Sequence, residues 1–172
     1  PLYSSAASDV YKRQVIDVLE RSNKIVRHLH VPLQSGSDTV LKRMRRKYTM
    51  EHFSERITKL HEALPDVAIT SDVIVGFPGE TEEEFQETYD FIVKHQFSEL
   101  HVFPYSSRIG TPAARMDNQI DEDIKNERVH KLIALSDQLA KEYASKFENE
   151  VLEVIPEEKG EKPNTLAVSY TH

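Results

Sequence analysis

The sequence predicts an α/β fold: parallel strands that form part of a larger barrel or open sheet, followed by the start of a truncated small β domain. Three observations carry this. Apolar runs of strand length alternate with segments of helical period, which implies parallel pairing through right-handed crossovers. Only three convincing strands precede a long helical pattern, too few to close a barrel. After that helix come short extended runs separated by the polar, Pro- and Gly-bearing stretch PEEKGEKPN.

The strands are IVRHLHVPL (residues 25–33), VAITSDVIV (67–75) and ELHVFPY (99–105). Between the first two, Ser37 or Asp38 can cap a short helix running to Met44. Thr49 can cap a second helix, with Phe53, Ile57, Leu60 and Leu64 along one face. TEEE at residues 81–84 is a capping box whose three glutamates suit the positive end of a helix dipole. Phe85, Tyr89, Ile92 and Val93 form the expected buried stripe of that helix. A long helix starts near Asp121, with Leu132, Leu135, Leu139, Tyr143 and Phe147 on its apolar face. EVLEVIPEE (150–158) and TLAV then read as strands of the second domain.

Both ends differ from the rest. Residues 1–14 have no periodicity, no initiating Met and no signal-peptide pattern, and with residues 169–172 they resemble translated adaptor sequence. The expected division is a non-native leader at 1–14, barrel at 15–148, the start of the β domain at 149–168 and a non-native tail at 169–172.

Composition narrows the function. The 172 residues are 38% hydrophobic and 30% charged, enough for a core and a well-solvated surface. No apolar run approaches the roughly 20 residues of a membrane span, so a cytoplasmic protein without a membrane partner is expected. The net charge of −7 argues against non-specific nucleic-acid binding by the whole surface. There are no cysteines, hence no disulfide partner and no thiolate-held metal within this chain.

In a parallel sheet all strands end at one edge, where α/β proteins bind ligands. Here the three strands run into QSGS, GFPGE and PYSSRIGT. Gly36, Gly76 and Gly79 would let a ligand approach the backbone, while Gln34, Ser35 and Ser37 offer side-chain hydrogen bonds. Short loops also need such residues simply to turn. No P-loop or dinucleotide fingerprint is present, and Glu80, Glu82, Glu83 and Glu84 would repel phosphate. A neutral nucleoside, or one with a cationic tail, fits better. KRMRRK (42–47) packs five basic residues into six, as a solvated helix face or a local phosphate contact. His28 and His30 share one side of their strand, but no third metal ligand is evident, which favours a structural role. Asp72, inside an apolar strand near the ligand edge, must find polar partners, for function or for local hydrogen bonding.

HVPLQSGSDTVLKRMRRKYT, SDVIVGFPGETEEEF and FPYSSRIGTPAARM together resemble the later half of the radical S-adenosylmethionine (SAM) barrel of methylthiotransferases. The segment from Asn126 onward most resembles the members that modify threonylcarbamoyladenosine in tRNA. The resemblance implies a partial radical SAM (TIM-like) barrel followed by an RNA-binding β domain. It implies methylthio transfer to C2 of the base next to the anticodon, with tRNA, through its anticodon loop, as partner. The cofactors implied are SAM and two 4Fe–4S clusters, whose cysteine ligands are absent here, so the chain is expected to be an inactive fragment. By motif, Gln34, Ser35, Gly36 and Ser37 would lie near the ribose and methionine portion of SAM. Asp72, Val75 and Gly76 would line its adenine, and Phe103 and Tyr105 would add contacts to the base. Arg46 and Arg108 would meet a carboxylate or phosphate, and no side chain would act as catalytic acid, base or nucleophile. Alternatives are a methylthiotransferase acting on an aspartate of a ribosomal protein, or a non-catalytic nucleotide- or RNA-binding module.

Overall fold

The computed structural model describes residues 13–152 apart from Asn23, together with the strands Val154–Lys159 and Leu166–Tyr170. Tyr3, Val10 and Tyr11, and with them most of the expected leader, lie outside the described residues. Helix α1 (Arg13–Arg21) begins within the 1–14 segment and was not foreseen from the sequence. The elements then run β1 (His28–His30), α2 (Asp38–Arg43), α3 (Met50–Ala63), β2 (Ala68–Val75), α4 (Glu82–His95), β3 (Glu99–Pro104), a short 3-10 turn (Ala113–Arg115) and α5 (Glu122–Ser145). β4 (Val154–Lys159) and β5 (Leu166–Tyr170) pair antiparallel, with an irregularity between Pro156 and Glu158.

The three strands form one parallel sheet in the order β1-β2-β3. As expected of a partial barrel, it is not closed. The first strand is much shorter than residues 25–33: Ile25 and Val26 are exposed and only His28–His30 pair as strand. Pairing nevertheless resumes beyond it. Val31 N–H donates to the Thr70 carbonyl (2.8 Å), and Ser71 Oγ accepts from Leu33 N–H (3.0 Å) while donating to the Val31 carbonyl (2.7 Å).

Strand parity assigns the two faces. Ile69, Ser71, Val73 and Val75 turn to the helices and are buried. Asp72 and Ile74 on β2, and His101 and Phe103 on β3, turn the other way and keep solvent exposure. The helices supply the core's second layer. Thr49 caps α3 by accepting from His52 N–H, and Phe53, Ile57 and Leu60 face inward. The capping box of α4 is complete: Thr81 Oγ1 accepts from Glu84 N–H (3.2 Å), and Glu84 Oε2 accepts from Thr81 N–H (2.9 Å). Its buried stripe differs from the expected one. Val93 is exposed, while Thr88 and His95 are buried beside Phe85 and Ile92. Burial pulls the His95 imidazole down to about 4, so it packs neutral. On α5, Leu132, Leu135 and Leu139 are buried, whereas Phe147 lies past the helix end and stacks edge-on against Tyr143. Among the described residues no helix is long and apolar enough to cross a membrane.

One ion pair clamps α2 to α4. Arg43 donates to both carboxylate oxygens of Glu84 (3.0 and 2.5 Å), and Thr39 Oγ1 donates to the same group (2.5 Å). Burial alone would raise the Glu84 carboxyl, but the hydrogen bonds from Arg43, Thr39 and Thr81 N–H bring it down to about 2. Its stabilisation is therefore complete above the usual glutamate value of 4.5 and is lost as pH falls towards 2. Acid titration of stability followed by circular dichroism should show this loss. Glu84→Gln should be less stable at neutral pH and lack that part of the acid dependence. An unchanged acid profile in the variant would remove the clamp from the account.

Candidate functional site

The site is the C-terminal edge of the sheet, and Gln34 is its pivot. Gln34 N–H donates to the Asp72 carbonyl and Ile74 N–H donates to the Gln34 carbonyl, both at 2.8 Å, so the β1–β2 ladder reaches one residue into the QSGS loop. Ser35 N–H then turns back to the Leu33 carbonyl (2.8 Å), closing a γ-turn centred on Gln34, whose φ is +65°. A positive φ on a residue with a side chain costs on the order of 1–3 kcal/mol and persists only where the surroundings over-determine it. Here the ladder does so on both sides, and the Tyr48 hydroxyl, donating to the Leu33 carbonyl (2.8 Å), fixes the preceding residue.

Past Gln34 the loop turns away from the open face and under α4. Ser35 Oγ meets Thr88 Oγ1 (3.2 Å), Gly36 N–H donates to the same hydroxyl (2.9 Å), and Ser37 N–H donates to Ser35 Oγ (3.2 Å). All three residues are buried. The sequence suggested ligand-facing serines and a glycine opened for a ligand. The structure instead places a helix against them: a Cβ on Gly36 would lie 2.6 Å from the Thr88 Cα. Val75 and Gly76 also lie away from the open face. Val75 is buried in the core, and Gly76, at φ +71°, gives its N–H to Glu80 (2.6 Å) while a Cβ there would meet the Lys125 side chain.

The remaining expected site residues converge. Gln34, Asp72, Phe103, Tyr105, Arg46 and Arg108 line one cavity of about 620 Å³, within the span typical of small-molecule sites. The cavity is closed from the side by the 3-10 turn, which contributes Ala113 and the following Met116. Ile74 and Phe77 make its apolar wall, and Phe77 packs edge-on against Tyr105 at 5.3 Å. The Tyr105 hydroxyl is buried and has no hydrogen-bond partner among the described residues. An orphaned polar atom in such a place is a position where a bound polar group would recover a hydrogen bond.

The electrostatics differ from the expectation that the glutamates after GFPG repel anions. Glu84 is taken by Arg43. Glu80 is buried against Arg128 (2.7 Å), and Glu82 meets Arg128 (3.1 Å) and Lys131 (3.7 Å). Burial pushes the Glu80 carboxyl up, while the Gly76 N–H and the Arg128 guanidinium hold its charge. None of these acids lines the cavity, whose one carboxylate is Asp72. Arg45, Arg46 and Arg108 at the rim have no acidic partner among the described residues. A locally positive rim thus sits on a chain of net charge −7.

His28 and His30 both meet the Thr70 hydroxyl, through Nε2 (3.1 Å) and Nδ1 (3.0 Å) respectively. His101, which sequence reasoning passed over, lies beside Asp72 on the same face. Only cross-strand register reveals it, since His101 is the β3 partner of Asp72.

The model of the radical SAM superfamily matches residues 3–92 of the chain. Over 170 residues the chain is 69% identical to threonylcarbamoyladenosine tRNA methylthiotransferase MtaB of Bacillus subtilis, a match covering 98% of this chain and 38% of that protein. It is 41% identical over 158 residues to tRNA-2-methylthio-N(6)-dimethylallyladenosine synthase of Thermoanaerobacter sp., covering 92% and 34%. The Fusobacterium nucleatum protein of the same name is 44% identical over 148 residues, covering 86% and 34%. The chain therefore spans between a third and two fifths of the length of these curated relatives.

If Gly36 serves helix packing, Gly36→Ala should destabilise the fold by about 1–3 kcal/mol through overpacking against Thr88. Urea unfolding measures this. A variant as stable as the parent would return Gly36 to the ligand side.

Proposed function

The chain belongs to the radical SAM superfamily, and from that membership we propose that it is the later barrel segment of a tRNA methylthiotransferase acting on threonylcarbamoyladenosine next to the anticodon. The observation that carries this is the 69% identity to the threonylcarbamoyladenosine enzyme across 98% of the chain, against 41–44% for the dimethylallyladenosine synthases. It favours that substrate over the dimethylallyl one, and tRNA over a ribosomal protein.

The cavity fits the nucleoside part of SAM. Gln34 can reach ribose hydroxyls, Phe103 and Ile74 offer apolar surface to a base, and the orphaned Tyr105 hydroxyl awaits a polar partner. Asp72 contributes through its carbonyl, which holds Gln34 in place. Arg46 and Arg108 suit the methionine carboxylate or a tRNA phosphate. In this assignment Ser35, Gly36, Ser37, Val75 and Gly76 position the edge and do not touch the cofactor. The iron–sulfur clusters do not fit the chain's own residues, because it has no cysteine to hold them. SAM, when bound, supplies radical chemistry; the residues described here bind it, orient it and shield it from water.

Two outcomes follow. The isolated chain offers only a few hydrogen bonds, each worth about 0.5–1.5 kcal/mol net, against the cost of immobilising the ligand. Calorimetric titration should thus find SAM bound with Kd of about 1 mM, and micromolar binding would contradict the assignment of affinity to the clusters. The longer protein, with its clusters reconstituted anaerobically, should methylthiolate tRNA bearing threonylcarbamoyladenosine and leave tRNA bearing dimethylallyladenosine unmodified. There, Gln34→Ala should weaken SAM binding by about tenfold, the worth of one good hydrogen bond. Preference for the dimethylallyl substrate would overturn the proposal.

A further inference from the structure

His30 on β1, Asp72 on β2 and His101 on β3 converge on the sheet face turned away from the helices. His101 is the register partner of Asp72, and His30 pairs with Thr70, two residues earlier on β2. Their ligand-type atoms all lie within 4.8 Å of one another. His30 Nε2 is 3.3 Å from Asp72 Oδ2, and His101 Nδ1 is 3.3 Å from Asp72 Oδ1. These separations are long for charge-assisted hydrogen bonds, which run at about 2.7–2.9 Å for nitrogen to carboxylate. They match the spacing of neighbouring ligands around one ion: at about 2.0–2.2 Å from a metal, adjacent donors stand roughly 3.0–3.5 Å apart. The two imidazoles lie nearly parallel, with centroids 5.5 Å apart and planes at 26°. Among the described residues no lysine or arginine neutralises Asp72.

The surroundings are those of a ligand set. His30 Nδ1 meets the Thr70 hydroxyl, which His28 Nε2 shares. In the tautomer with Nδ1 protonated this is the outer hydrogen bond of a metal-binding histidine, and it leaves Nε2 directed at Asp72 as the ligand atom. All three side chains keep partial exposure, at 39%, 30% and 50%, so an ion can reach them. Asp72 also lines the cavity described above, so a fourth coordination position would open towards it. Strands, not loops, carry all three groups, and parallel pairing sets their spacing.

We propose that His30, Asp72 and His101 bind one divalent first-row transition-metal ion of the zinc class, as a two-histidine, one-carboxylate site with an open position on the cavity side. This site needs neither SAM nor an iron–sulfur cluster to form, although Asp72 also borders the cavity assigned to SAM above.

The test uses the 172-residue chain, free of any affinity tag and stripped with chelator, titrated with Co²⁺ and then Zn²⁺. Visible absorption and calorimetry should show one saturable equivalent of Co²⁺ in a nitrogen–oxygen environment, displaced by Zn²⁺. His101→Ala, at a half-exposed position, and the isosteric Asp72→Asn should each weaken Zn²⁺ binding at least tenfold, with the fold checked by circular dichroism. His52→Ala, an exposed histidine on α3 outside the cluster, should leave it unchanged. Absence of a single saturable equivalent in the parent, or undiminished binding after either cluster substitution, would overturn the proposal.

Discussion

The structure of the site depends on the seam between β1 and β2, where the ladder runs past the end of a three-residue strand and grips Gln34 from both sides. With a left-handed Gln34 pinned there, the loop has one course. Gln34 lines the cavity, and the next three residues go beneath α4. The hydroxyl of Thr88 then serves as a shared anchor for Ser35 and Gly36, so the helix holds the loop and the loop positions the cavity wall. Ser71 supports the same seam from below by bridging Val31 and Leu33.

Charge is sorted in a matching way. Glu82 and Glu84 in the first turn of α4, with Glu80 just before it, pair with Arg43, Arg128 and Lys131, contacts that tie α2 and α5 to this end of the helix. Among the described residues the rim arginines Arg45, Arg46 and Arg108 have no acidic partner, and they line the cavity. An acidic protein can thus present a cationic mouth, and the sign of its net charge says little about the site.

Much of this was legible in the sequence. Parallel strands followed from the alternation of periods, and the capping box of α4 followed from TEEE, because both signals are local. Other features depend on partners distant in sequence. Ser35 and Ser37 look like ligand donors until Thr88, some fifty residues on, is brought against them. Val93 continues an apolar stripe on paper, but α4 rotates Thr88 and His95 inward because each finds a hydrogen bond there. The grouping of His30, Asp72 and His101 is a matter of register alone: shifting β3 by one residue would turn His101 to the helices. Helix α1 carries a short helical pattern in Val15, Ile16, Val18 and Leu19, but it spans only nine residues and starts inside the segment set aside as adaptor-like, so it was passed over.

The central claim is that the sheet edge divides at Gln34 into a ligand-facing part and a helix-facing part. Nuclear magnetic resonance of the ¹⁵N-labelled chain during SAM titration tests this most directly, since it detects weak binding residue by residue. The account predicts progressive shifts of the Gln34 side-chain amide and of the Tyr105 backbone amide. The N–H groups of Gly36 and Gly76, bonded to Thr88 and Glu80, should stay in place. Shifts at Gly36 and Gly76 with a silent Gln34 side chain would contradict it.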